Sequence, residues 1–230
     1  MILGTILIFS FIDAESILGG FTQEGKEMQL AQIVTSLELI IISPLSALCL
    51  LLAIFSSSSF IPNMLEKGNI DLLLSKPVSR TQLLWGKYFG GIIVVLINIA
   101  FLLIGIWLTI SFKFGYWDVS FLSLIFIITF TFAVLYSIIV LFGILTKSSI
   151  LGMMTAYLIF IILSPLLNFA NTQLNVFIES ETIRGIIKVI YYIIPKTSEL
   201  MGQLTLNLAS GKGITDFQPV LTSFLFLILV

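Results

Sequence analysis

Histidine is missing from this 230-residue chain, and cysteine occurs once, at Cys49. Without histidine the usual general base and the commonest transition-metal ligand are gone, so histidine-dependent intramembrane hydrolysis is a poor fit. A lone cysteine cannot close an intramolecular disulfide, and Cys49, set in an apolar run, reads as a small buried hydrophobe. Charge is scarce too. The 11 basic and 12 acidic side chains make up only 10% of the chain, whereas a nucleic-acid surface needs clustered lysine and arginine in excess. No phosphate loop of the form Gly-x-x-x-x-Gly-Lys-Ser/Thr occurs: Gly86-Lys87-Tyr88 and Gly211-Lys212-Gly213 lack both the spacing and the hydroxyl that phosphate and magnesium require.

What is present in abundance is apolar surface. Hydrophobic residues make up 58% of the sequence and the mean hydropathy is +1.15, values that belong to a polytopic, all-α membrane protein. A bilayer core of about 30 Å takes about 20 residues of helix. Four runs satisfy that length, at residues 37–55, 91–112, 119–145 and 150–170. Two further runs, 1–12 and 220–230, would reach only about 17 Å. They are expected to be membrane helices cut by the ends of the chain, the first and last of six spans in a single transmembrane domain. The 1–12 run has neither a basic leading region nor a small-residue cleavage site, so a signal peptide fits it less well.

Loop charge gives an orientation. Residues 56–89 carry Lys67, Lys76, Arg80 and Lys87 against Glu66 and Asp71, and Lys147 follows the 119–145 run, which places both connections in the cytoplasm by the positive-inside rule. Residues 13–32 hold Asp13, Glu15, Glu24 and Glu27 against Lys26, while 171–218 balances its charges; both should face outward. Tyr116 and Trp117 mark the outer end of a tight hairpin. The short apolar stretch 183–194, interrupted by Arg184 and Lys188 and stopped by Pro195, suits an outer interfacial helix anchored by Tyr191 and Tyr192. Within the spans, Glu38 reads as an outer-interface anchor or, less readily, a substrate contact. Asn98, Tyr136 and Asn168 read as helix-to-helix hydrogen-bonding groups, and Pro44 and Pro165 as kinks.

The most informative segment is the polar interruption at 60–90. It reads as two short amphipathic helices separated at Pro77, which removes a donor and disfavours helical geometry at Lys76. Ser79-Arg-Thr-Gln82 fits a capping box that starts the second helix, and Gly86, Gly90 and Gly91 should loosen its approach to the next span. Leu65, Leu72, Leu73, Leu83 and Leu84 can face the membrane while the charged residues face water. An ordered, charged insert between lipid-facing helices suits docking to a soluble motor; seating at the interface is the plainer alternative.

Glu66-Lys-Gly-Asn-Ile-Asp-Leu-Leu-Leu-Ser-Lys-Pro-Val-Ser-Arg80, followed by Gly86-Lys87, resembles the segment between the second and third spans of ABC-2 type ABC transporter permease subunits, notably those similar to copper-enzyme-maturation permeases. Asn69 stands where that family usually has threonine. The Tyr191-Tyr-Ile-Ile-Pro195 run resembles, more distantly, the family's outer segment before its last span.

This resemblance implies a six-span exporter domain in the cytoplasmic membrane, paired with a second permease copy or homologous half and with separate ABC ATPase subunits. The partner subunits would bind the ATP and magnesium, with no cofactor or metal on this chain. Glu66, Lys67, Gly68, Asp71, Pro77, Ser79, Arg80 and Lys87 would then form the ATPase-coupling surface. A secondary carrier and a non-transporting scaffold or immunity protein are the alternatives from other functional classes.

Overall fold

The computed structural model describes residues 23–64, 79–115, 117, 119–177, 185, 189, 191, 194–204 and 217–229. All the regular structure among them is helical. In chain order the elements are α1 (Gln23–Ser57), the short α2 (Phe60–Met64), α3 (Arg80–Phe114), a 3-10 turn (Val119–Ser123), α4 (Leu124–Thr146), α5 (Ser149–Tyr157), a π-helical turn (Leu158–Leu163), α6 (Ser164–Phe177), α7 (Thr197–Glu199), a second π turn (Leu200–Leu204) and α8 (Gln218–Leu229). Four stretches are long and apolar enough to cross a membrane: Pro44–Met64, Thr81–Phe114, Val119–Thr146 and Ser149–Ala170. Three of them overlap the runs 91–112, 119–145 and 150–170 throughout, while the first is shifted toward the C-terminus from 37–55 and takes in α2; Gln218–Ile228 is a shorter apolar helix where the last run was expected. The first run, 1–12, lies outside the described residues.

α4 occupies the centre. Its span is 72% buried, against 22–33% for the other three, and it packs against α1, α2, α3, α5 and α8. A helix hydrophobic all round is what such a position requires. Every residue from Thr131 to Val140 is buried, with Phe132 and Tyr136 fully enclosed. α3 shows the complementary pattern. Val95, Ile99, Leu103, Ile106 and Ile110 recur at three- and four-residue spacing on the buried face, while Ile93, Ile97, Phe101, Ile104, Leu108 and Phe112 cover the opposite one. That second stripe has only lipid or another membrane helix as a compatible neighbour.

The hairpins close as turn chemistry dictates. α3 ends at Gly115 in the left-handed region (φ 69°), its N–H returning to the Ser111 carbonyl at 2.9 Å. Trp117 then stands edge-on to Trp107 and Phe112 at centroid distances of 5.1 and 5.5 Å. α4 ends at Lys147, also left-handed (φ 53°), with an N–H bond of 3.0 Å to Gly143, and Ser148 caps α5. At the end of α1, Ser57 Oγ donates to the Ala53 carbonyl at 2.6 Å and Ser58 Oγ to Phe55 at 2.9 Å, which satisfies carbonyls the helix leaves open.

Three expectations change. The helix containing the 37–55 run already includes Gln23, the first described residue, because Glu24, Lys26, Glu27, Met28 and Leu30 are good helix formers, so half of the expected outer loop is helix instead. The insert's second helix is not separate from the next span. α3 runs unbroken from Arg80 to Phe114, through Gly86, Gly90 and Gly91. A glycine costs a helix about 1 kcal/mol, less than leaving backbone groups unpaired where water is absent. Finally, α2, the described start of the insert, turns inward: Ile61, Pro62 and Met64 are buried, and Ile61 and Pro62 lie 3.5 Å from where a Cβ on Gly143 of α4 would stand.

Candidate functional site

The second described part of the insert, from Ser79 on, starts at a complete capping box. Ser79 Oγ accepts from the Gln82 N–H at 3.2 Å, and Gln82 Oε1 accepts from the Ser79 N–H at 3.1 Å. Two open donors of the first turn are thereby satisfied by side chains. Ser79 and Gln82 are both exposed, as is Lys87. Glu66, Lys67, Gly68, Asp71 and Pro77 lie outside the described residues, as do Leu65, Leu72, Leu73 and the side chain of Arg80. Of the eight expected coupling residues, the structure therefore places the side chains of Ser79 and Lys87, on the same end of one helix. Ser79→Ala should lower stability by about 1 kcal/mol, read as a fall in the thermal midpoint of detergent-solubilised protein; Ser79→Asp, which keeps the cap, should restore it.

Immediately above the cap lies an aromatic group that the sequence pattern did not single out. Trp85 stacks on Phe89 at 5.4 Å and meets Tyr88 edge-on at 6.0 Å. Tyr88 turns inward, donates a 2.9 Å hydrogen bond to the Ala133 carbonyl of α4, and lies parallel to the ring of Tyr136 at 5.4 Å. Tyr136 in turn stacks on Phe132 at 5.3 Å. Gly91 makes this approach possible: a Cβ there would sit 2.8 Å from the Tyr136 ring, inside van der Waals contact. The exposed beginning of α3 is thus locked to the enclosed centre of α4 through Tyr88, Gly91, Tyr136 and Phe132. Tyr136 was expected to hydrogen-bond between helices. Its hydroxyl is buried without a hydrogen bond, and Tyr88 makes the interhelical bond. Asn98 also departs from expectation, donating to Val94 of its own helix at 2.8 Å on an exposed face. Tyr157, which drew no attention in the sequence, ties α5 to α1 through a 2.8 Å bond to the Leu51 carbonyl. The side chain of Glu38 lies outside the described residues.

The 194–204 region holds a buried polar cluster. Tyr191 donates to the Glu199 carboxylate, and the Lys196 ammonium lies 3.9 Å from the centroid of the Tyr191 ring, a cation–π arrangement. Ser198 is fixed to Ser164 of α6, whose Oγ accepts from the Ser198 N–H at 2.9 Å. Ser164 lies six residues before Ala170, where the span ends, about 9 Å along the helix, so the cluster packs against the last third of the span. Most of 183–194 is outside the described residues, but Tyr191 is only 7% exposed and Lys196 only 3%. The expected surface anchor at Tyr191 is therefore an internal contact, because the chain after Pro195 folds back against α6. The π turn at 158–163 allows the helix to continue past Pro165: the Ser164 N–H reaches Ile159, a five-residue step, just ahead of the residue with no N–H to give.

The all-helical architecture with four membrane-length apolar stretches agrees with the family comparison. The family model described as "ABC-2 family transporter protein" matches residues 3–230. No curated protein and no solved structure gives a match. The match takes in the insert, the four spans and the shorter final helix alike, and the chain belongs to the ABC-2 transporter family as a multi-pass membrane permease.

Proposed function

We propose that this permease is the transmembrane subunit of an ATP-binding cassette exporter in the cytoplasmic membrane, driven by ATP hydrolysed on a separate subunit that docks on residues 60–90. The observation that carries the reading is the unbroken helix α3. Its capped, solvated first turn and its buried Tyr88–Gly91 contact with α4 belong to one rigid element, so a force applied at the start of the helix acts directly on the centre of the bundle. Among the described residues of the four spans the charged side chains are Lys87 and Lys113 alone, and the buried Glu199 carboxylate beside α6 is held by Tyr191, which gives little support to the chain of carboxylates that an ion-coupled secondary carrier uses. The exposed apolar stripe of α3 supports pairing with a second permease copy. Co-purification from native membranes tests the reading: an ABC ATPase should accompany the permease in stoichiometric amount, and a permease isolated in active form without one would refute it.

The orientation is part of the proposal. In a Cys49-free background, cysteines at positions 76 and 147 should react with a membrane-impermeant probe only from the cytoplasmic side, and one at position 26 only from outside. Position 196, buried against Tyr191, should be protected from both sides. Outside labelling at position 76 would invert the topology and remove the docking argument.

A further inference from the structure

Lys196 and Glu199 are the buried charged side chains among the described residues, 3% and 6% exposed. Both lie on the segment 194–204, whose α7 and second π turn touch α6, α8 and α4, and ionisable groups at membrane depth are a mark of function. Their balance argues against an ion site. The two charges share Tyr191, which donates to the Glu199 carboxylate and carries the Lys196 ammonium over its ring, so the group offers a ligand ion no net charge. The cavity lined by Ser164, Tyr191, Lys196 and Glu199 has only about 10 Å³, room for a single water. What these contacts do is fasten the segment to α6, where Ser164 Oγ accepts from the Ser198 N–H at 2.9 Å and donates to Ser198 Oγ at 3.0 Å.

Fastening by polar groups has a consequence that apolar packing lacks. Apolar side chains of similar volume would hold the segment at least as firmly, but on leaving α6 they would expose apolar surface, whereas Tyr191, Lys196, Ser198 and Glu199 can exchange their partners for water at little net loss. Thr197, among them, is fully buried and its hydroxyl has no hydrogen-bond partner; release would supply one. The contact is also flanked by irregular backbone. One π turn ends just before Ser164 and the other begins just after Glu199, and such turns are frequent at functional sites.

We propose that Tyr191, Lys196 and Glu199 form a releasable latch, with Ser164–Ser198 as its catch, which holds 194–204 against the outer part of α6 and lets it swing away as the exporter opens outward. When the latch opens rests on the transport reading; that these side chains hold the segment does not.

The test follows Thr197→Cys, in a Cys49→Ala background and in native membranes, with a maleimide that cannot cross them. The Thr197 hydroxyl takes no part in the latch, so the reporter leaves it intact. Labelling from outside, which tracks the open population, is expected to be slow and to rise about tenfold with Tyr191→Phe or Glu199→Gln, at unchanged helix content. With the latch residues unaltered, ATP and vanadate should give a similar rise in membranes that contain the ATPase. A second variant keeps all three latch side chains: Ser164→Cys with Ser198→Cys should form a disulfide under mild oxidation, in a yield that falls when ATP and vanadate are added. Labelling indifferent to both Tyr191→Phe and Glu199→Gln would overturn the latch. A disulfide yield indifferent to nucleotide would overturn its opening during transport. Because the first comparison uses no nucleotide, its failure with ATPase co-purification intact refutes the latch and leaves the transport reading standing.

Discussion

Glu66→Lys combined with Arg80→Glu is expected to cut ATPase co-purification at least tenfold and to abolish transport, while the permease remains folded and inserted. The charges sit on the proposed docking segment, at and before the first turn of α3, and no membrane-spanning stretch of 18 or more residues depends on either. A partly solvated contact contributes at most a few kcal/mol, but 1.4 kcal/mol is already tenfold in affinity. Leu73→Pro should have the same effect through backbone geometry. If the insert were merely an interfacial helix, the double reversal would alter membrane seating and leave ATPase binding unchanged; that outcome would remove the coupling assignment and most of the support for the exporter reading.

A second large effect is expected where the segment meets the core. Gly91→Ala would place a methyl group 2.8 Å from a Tyr136 ring that is fully buried and held between Tyr88 and Phe132. Any shift of the ring disturbs its stacking on Tyr88 and Phe132, and overpacking of this kind costs about 1–3 kcal/mol. Gly90→Ala is the control, since a Cβ there meets nothing within 4 Å; it should be neutral or stabilise α3 by up to about 1 kcal/mol. Thermal unfolding in detergent should therefore separate two adjacent, chemically identical substitutions. Tyr136→Leu should recover much of the Gly91→Ala loss, a non-additivity that a double-mutant cycle measures directly. Equal midpoints for the two alanine variants would contradict the packing described for Tyr136.

Features governed by neighbouring residues were legible in the sequence. The Ser79–Gln82 capping box is one of them, and the hairpins at Gly115 and Lys147 fall where the apolar runs end, because run length and turn chemistry are both local. The charges of 13–32 point to water but do not decide between loop and helix, and Glu24, Lys26 and Glu27 suit the helix that α1 forms. The glycines of α3 do not interrupt it. Their local cost is small beside that of breaking backbone hydrogen bonds among apolar helices, so Arg80–Phe114 remains continuous.

The misread tyrosines share a different cause. Tyr88 and Ala133 are 45 residues apart, and Tyr191 owes its burial to the return of the chain against Ser164; neither relation leaves a periodic trace. The reason Gly91 must be a glycine appears only once Tyr136 is known to lie opposite it. The candidate coupling residues were nameable from the insert's charge pattern and family resemblance. Which of them projects to water was not, because that depends on how the insert folds relative to α3.

The central claim is that a nucleotide-binding subunit covers the capped start of α3. Its most direct test is photo-crosslinking in native membranes from a benzophenone amino acid placed at Gln82, which is exposed one turn from Ser79. A crosslink to an ABC ATPase is expected, diminished by Glu66→Lys with Arg80→Glu. A crosslink to lipid alone, with an ATPase present in the same membranes, would contradict it.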